Sequence, residues 1–240
     1  MLLRSIVLAS LLATGCASPD DAPAAGPVAP DPTASVAAPS APETRSDSVV
    51  VVFFGDSLTA GYGLGTPSRE AYPALVGQAL AEAGVPARVV NLGVSGETTA
   101  GGKSRVAWTL RANRPDVFVL ALGANDGLRG VDPAATRDNL GAILDAVREA
   151  APDARLVVAG MEALPNYGPD YTARFRAVFP DVAEAYDAAL IPFLLDGVAG
   201  VPRLNQGDGV HPTAEGQRRI AALVAPVVVD AAREARGAGV

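Results

Sequence analysis

Several residue types are nearly missing from this chain of 240 residues: it holds one cysteine, one histidine, one tryptophan and a single lysine, Lys103. The lone Cys16 excludes an internal disulfide. One cysteine and one histidine are also too few for the usual zinc site, which gathers several such ligands. EF-hand spacing is absent, although a carboxylate site for calcium or magnesium stays open. Basic residues are outnumbered, 19 Lys and Arg against 26 Asp and Glu, for a formal charge of −7. An acidic surface repels phosphate backbones, which makes nucleic acid a poor partner. Beyond the N-terminus no segment is long and apolar enough to span a bilayer. What remains is a chain that is 49% hydrophobic with few aromatics. Without its N-terminal region it is long enough for one domain around one core.

The N-terminus reads as an address and a tether. Met1 to Leu12 is MLLRSIVLASLL, with Arg4 in a short positive region and Ser5–Ala13 as a short apolar run. This fits a signal peptide and is too short for a permanent span. Ala13-Thr14-Gly15-Cys16 resembles a bacterial lipobox, with Leu12 one step further from the cysteine than usual. That resemblance implies lipidation of Cys16, with residues 1–16 as a lipoprotein-type signal. Export to the cell envelope follows, and Ala17 after the cysteine favours the outer membrane where a cell has one. The bland alternative is a plain cleaved signal with an incidental cysteine. Residues 17–47 carry seven prolines and many alanines, with only Val28 and Val36 as larger aliphatics. Such a segment cannot build a core and is expected to be an extended linker, reaching at most ~3.1 Å per residue.

The domain is expected over residues 48–236. Ser48–Phe54 is a continuous β-branched and aromatic run, the mark of a strand buried on both faces. Further strands are expected at Ala87–Asn91, Asp116–Leu122 and Arg155–Ala159, with a short one near Leu190–Phe193. Helical spacing appears at Tyr72–Ala83, Gly102–Arg111, Asp132–Glu149, Tyr171–Val178, Asp181–Ala189 and Thr213–Arg236. The third of these has Asp132 as N-cap and Pro133 in the first helical position. The last contains Pro226, a potential kink. This alternation predicts a three-layer α/β/α sandwich with a mostly parallel sheet. In such sheets the ligand site lies beyond the carboxyl ends of the strands.

Four motifs fall at those ends. The first strand runs into Gly55-Asp56-Ser57-Leu58, the second into Asn91-Leu92-Gly93, and the third into Gly123-Ala124-Asn125-Asp126. Asp208-Gly209-Val210-His211-Pro212 precedes the last helix. Singly each is weak: serine and glycine after a strand are usually turn residues, Asn-Asp before a helix is usually a cap, and a lone histidine is usually structural. Together they deliver a hydroxyl, a backbone N–H, an amide and an imidazole to one edge, and the bland reading loses.

With these residues the chain resembles the GDSL or SGNH hydrolases, whose four name-giving residues match Ser57, Gly93, Asn125 and His211. The likeness extends through Phe54–Gly63, Gly93–Thr99, Gly123–Gly130 and Leu164–Gly168 to the subgroup of periplasmic arylesterases, thioesterases and lysophospholipases. It covers roughly Val50 to Val224 and implies a flavodoxin-like fold. It also implies an oxyanion hole made by the backbone N–H groups of Ser57 and Gly93 and the side-chain amide of Asn125. A serine hydroxyl needs an adjacent base, and His211 is the only imidazole. Asp208, three residues before it, can meet the ring nitrogen facing away from the serine. Ser57, Asp208 and His211 are therefore the expected triad.

Leu128 and the Met161–Gly168 loop, with Leu164, Pro165, Asn166 and Tyr167, are expected to line the acyl pocket, with a plain surface loop as the alternative. Asp56 and Asp126 are read as structural or capping residues, and Trp108 and Tyr72 as core. The resulting expectation is a serine esterase acting through an acyl-enzyme on short to medium acyl or aryl esters, thioesters or lysophospholipids. No metal or organic cofactor is required. The same triad could instead deacetylate envelope polysaccharide, or the fold could serve as a silent binding lipoprotein. Gly61-Tyr62-Gly63-Leu64-Gly65 fits neither a Walker A loop nor a dinucleotide fingerprint. Oligomeric state is not encoded in any of these signals.

Overall fold

The structure is a computed structural model that describes residues 48–237; the expected signal, Cys16 and the linker lie outside the described residues. Five strands, β1 (Val49–Gly55), β2 (Ala87–Gly93), β3 (Val117–Ala121), β4 (Arg155–Ala159) and β5 (Ala189–Ile191), form one sheet in the order β2-β1-β3-β4-β5. Every pairing is parallel. The continuous apolar runs of β1 and β3 are central and almost wholly buried, as burial on both faces demands. Edge strand β2 is only half-buried and carries the exposed Arg88.

Two helical layers cover the sheet. One contains α3 (Tyr72–Glu82) and the terminal α8 (Ala214–Gly237), packed together. The other contains α4 (Thr99–Ala112), α6 (Pro133–Ala150) and α7 (Pro169–Ala185), with α6 between its neighbours. Burial of each large apolar side chain here contributes about 1.5–3 kcal/mol. Phe53, Phe54 and Phe118 lie at its centre with no exposed surface. The chain winds outward both ways from β1, so the crossover direction reverses between β1 and β3. At such a switch point the loops splay apart and leave a crevice above the strand ends.

Three short helices were not foreseen: α1 (Ser57–Ala60), α2 (Pro67–Glu70) and α5 (Ala124–Arg129). The first and third begin at strand ends that carry the sequence motifs. Other boundaries differ too. α4 starts at Thr99, three residues before the expected Gly102, because the Thr98 hydroxyl caps Gly101 N. The two helices expected around Pro180 are one, α7, which runs through the proline. The proline forfeits one backbone bond, and the apolar face of Phe175, Val178, Phe179, Val182 and Ala183 buried on the core outweighs it. Residue 189 belongs to β5, not to a helix, because the chain turns at Asp187, where φ is +51°. α8 likewise continues through Pro226. Trp108 is not core: it is 66% exposed. On α4 the residues facing inward are Gly102, Val106, Thr109 and Leu110, which turns Trp108 outward with Ser104 and Arg111. Tyr72, in contrast, is fully buried.

Candidate active site

The site begins where β1 ends. Asp56 caps α1 by accepting the Leu58 N–H at 3.0 Å, and Ser57 becomes the first residue of that helix. α1 is fixed from beneath by the buried Gln217 of α8, which donates to Leu58 O and accepts from Tyr72 N. The Thr59 and Tyr72 hydroxyls bond each other at 2.8 Å, tying α1 to α3. The serine backbone is thus set by the sheet and two helices.

His211 arrives on the loop before α8. Its Nε2 is 2.9 Å from Ser57 Oγ, and its Nδ1 is 2.7 Å from Asp208 Oδ2. A carboxylate only accepts, so Nδ1 carries the proton and Nε2 faces the serine as an acceptor. Asp208 Oδ1 accepts from the backbone N–H groups of Val210 and His211. Those bonds and the imidazole hold its carboxyl well below the usual carboxylate range. The loop is closed by Gln206 N on His211 O and by Gly209 at φ +70°. Gln206 Nε2 also donates to Tyr62 O and Pro212 O, and the Tyr62 ring lies 4.6 Å from the imidazole.

Asn125 stands in the first turn of α5. Its amide donates to Glu97 O at 3.0 Å and, more weakly, to Asp56 Oδ2 at 3.4 Å. Asp56 is fully buried, and desolvation pushes its pKa up to about 7 against the hydrogen bonds from Leu58 and Asn125. Asp126 holds α4, accepting Thr99 N and the Thr99 hydroxyl.

Gly93 is elsewhere occupied. Its N–H donates to Asn91 Oδ1 at 2.9 Å. A Cβ at this position would stand 2.2 Å from Ala60 N, so its glycine identity is explained by the close approach of β2 to α1. The neighbouring turn offers another donor. Glu97 N bonds Val94 O, with Gly96 between them at φ +79°, a conformation that favours glycine. The N–H groups of Ser57 and Gly96 have no hydrogen-bond partner among the described residues. Gly96 was missed in the sequence because two glycines stand three positions apart in one motif, and spacing alone does not say which N–H is free.

Ser57, Asn125 and His211 share the wall of a cleft of about 400 Å³. Its apolar lining includes Leu128, Leu164, Met161, Phe193, Leu195 and Val210. Leu128 and Leu164 thus stand where the sequence suggested, whereas Pro165, Asn166 and Tyr167 are not in the wall. They form a 3-10 turn behind α5, where the Tyr167 hydroxyl donates to Leu128 O and the ring packs against Gly130. Met161 opens the loop that was expected to line the pocket and Val210 belongs to the Asp208–Pro212 motif, whereas Phe193 and Leu195 carried no motif that could have marked them. No cluster of three or more His, Cys, Asp or Glu with metal-binding geometry occurs among the described residues.

Residues 53–219 match the GDSL-like Lipase/Acylhydrolase family. The chain is similar to the Esterase TesA of Pseudomonas aeruginosa, with 40% identity over 78% of this chain and 90% of that protein. It is similar also to the Arylesterase of Vibrio mimicus, at 36% identity over 79% and 92%. The Thioesterase 1/protease 1/lysophospholipase L1 of Escherichia coli matches at 35% identity over 71% and 79%. Among solved structures, the psychrotrophic esterase EstA from Pseudoalteromonas sp., inhibited by monoethylphosphonate, superposes with a TM-score of 0.70 at 29% identity, over 76% of this chain and 98% of that one.

Proposed function

The chain belongs to the GDSL-like lipase/acylhydrolase family and is a serine ester hydrolase; from that premise we propose which residues do the chemistry. Ser57 Oγ attacks the ester carbonyl while His211 Nε2 takes its proton. Asp208 keeps the imidazole in the required tautomer and stabilises the imidazolium. The oxyanion is met by the N–H groups of Ser57 and Gly96 and by the amide of Asn125, Gly96 taking the place expected of Gly93. One amide hydrogen of Asn125 reaches it by leaving the long contact to Asp56; such bonds tighten only when the transition state forms. His211 then protonates the departing alcohol, phenol or thiol. A water activated by the same imidazole releases the acid and regenerates Ser57.

The observation that carries this reading is the unbroken relay from Asp208 through His211 to Ser57, with bonds of 2.7 and 2.9 Å at the edge of an apolar cleft. The cleft lies within the size range of small-molecule sites. Its apolar lining favours acyl chains over sugar rings. With relatives named for aryl esters, thioesters and lysophospholipids, short to medium acyl esters of these kinds are the proposed substrates. The test is turnover of p-nitrophenyl esters of increasing chain length by wild type and Ser57→Ala. Loss of turnover in the variant supports the reading; equal turnover refutes it.

Residues 1–47 support a second proposal, that the enzyme is exported and tethered through lipidated Cys16. Radiolabelled palmitate should enter the wild type and not Cys16→Ser; equal labelling of both refutes the tether.

A further inference from the structure

A largely buried ion pair near the site lies outside the relay. Arg105, two turns into α4, reaches back to the strand ends. Its Nε donates to both carboxylate oxygens of Glu97 at 2.7 and 2.9 Å, and one terminal nitrogen donates to Glu97 Oε2 at 2.5 Å. The same nitrogen meets Leu92 O at 2.8 Å and, more distantly, Gly55 O at 3.4 Å. The guanidinium carbon sits 3.9 Å from the centre of the Phe54 ring. The Glu97 side chain is only 7% exposed.

Glu97 has a second set of contacts through its backbone. Its N–H closes the turn on Val94 O that presents Gly96, and Val94 N is itself fixed to Gly55 O. Its carbonyl accepts the Asn125 amide at 3.0 Å. One residue therefore touches both the Gly96 turn and Asn125, and its side chain is held in a fork by Arg105. Taking two charges out of water is a poor way to gain stability, because desolvation offsets the attraction. A guanidinium fork does fix a carboxylate in both distance and plane.

We propose that Glu97 and Arg105 are positioning residues that together aim two oxyanion donors, Gly96 N–H and the Asn125 amide. The inference rests on the oxyanion reading above. A plain staple between α4 and the strand ends would affect thermal stability and leave the balance of kcat and KM alone. A positioning pair acts where charge develops, so it moves kcat and the affinity of tetrahedral adducts together. Losing an oxyanion donor costs about 10²–10³ in turnover; misaiming two without removing them is expected to cost about 10–100-fold.

The experiment compares Glu97→Gln, the apolar double variant Glu97→Leu/Arg105→Met, and Asn125→Ala with wild type in the full chain. The readouts are kcat and KM on p-nitrophenyl butyrate, thermal midpoint, and Kd for phenylboronic acid. In the boronate adduct Ser57 Oγ bonds to boron as its proton passes to His211, and a boron oxygen occupies the oxyanion position. The double variant replaces both charges together, so it answers the question even if Glu97→Gln does not fold. The proposal predicts kcat down about 10–100-fold, KM within about twofold and boronate binding weakened by a similar factor. Loss of kcat under about threefold, or unchanged boronate affinity, overturns it while Asn125→Ala remains impaired. If Asn125→Ala is itself unimpaired, the oxyanion reading falls and the positioning role with it.

Discussion

The two halves of the proposed catalytic relay are built differently. Ser57 stands at the junction of an almost wholly buried strand and a helix braced by Gln217, Thr59 and Tyr72, and only 7% of it is exposed. His211 and Asp208 stand on a surface loop, their side chains 20% and 42% exposed, held by local turns and two side-chain bonds from Gln206. The proposed nucleophile inherits its place from the core, so disturbing it there means disturbing the fold. The proposed base and its orienting acid can be altered chemically with little consequence for packing. Loop substitutions should therefore strike chemistry and spare stability, and core substitutions should strike stability first.

The sharpest way to test this contrast is on the loop. His211→Ala should lower turnover about 10⁴-fold or more, while the thermal midpoint stays within a few degrees of wild type. Asp208→Asn should cost nearly as much, about 10⁴-fold. The new amide presents a donor to Nδ1, so the ring flips its proton to Nε2 and can no longer accept from Ser57. A large drop in thermal midpoint for either variant would break the contrast. The core side should respond in reverse. Phe53→Ala removes a fully buried ring and should cost about 3–5 kcal/mol in denaturant unfolding. Turnover per folded molecule should fall far less than in the loop variants.

A smaller effect concerns pH. Asp56 has its pKa pushed up from 3.8 to about 7 by burial, so the folded state keeps a proton that the unfolded chain releases. Its contribution to stability is complete below the unfolded value and falls away as pH rises towards about 7. Asp208 has the opposite sign, since its carboxyl is held low. What it contributes is present above its ordinary value of 3.8 and lost as pH drops below that. Denaturant unfolding from pH 4 to 8 should show a downward slope that Asp56→Asn flattens. A variant with the wild-type slope would mean another group carries it.

The same contrast explains what could be read from the sequence. Continuous apolar runs announced β1 and β3, and the topology of a parallel sheet placed Ser57 and Asn125 at one edge. His211 was singled out by being the only histidine, and Asp208 by its spacing of three. Choices that depend on which backbone group is already bonded were not legible: nothing in Gly93–Thr99 says that Asn91 occupies the Gly93 N–H. The cleft wall was half legible. Leu128 and Leu164 follow motif segments, whereas Phe193 and Leu195 reach the cleft only through the packing of the segment after β5. Tyr167, read as a wall residue, turns behind α5 to its own hydrogen bond. Pro180 misled because its local cost is visible in the sequence and the tertiary burial that outweighs it is not.

The central claim is that Ser57 is the nucleophile, activated by His211. The most direct measurement is peptide mapping by mass spectrometry after treatment with a p-nitrophenyl alkylphosphonate, run on wild type, Ser57→Ala and His211→Ala. The account predicts one adduct per chain, on Ser57, absent from Ser57→Ala and formed far more slowly in His211→Ala. An adduct on another residue, or equally fast labelling without His211, would contradict it.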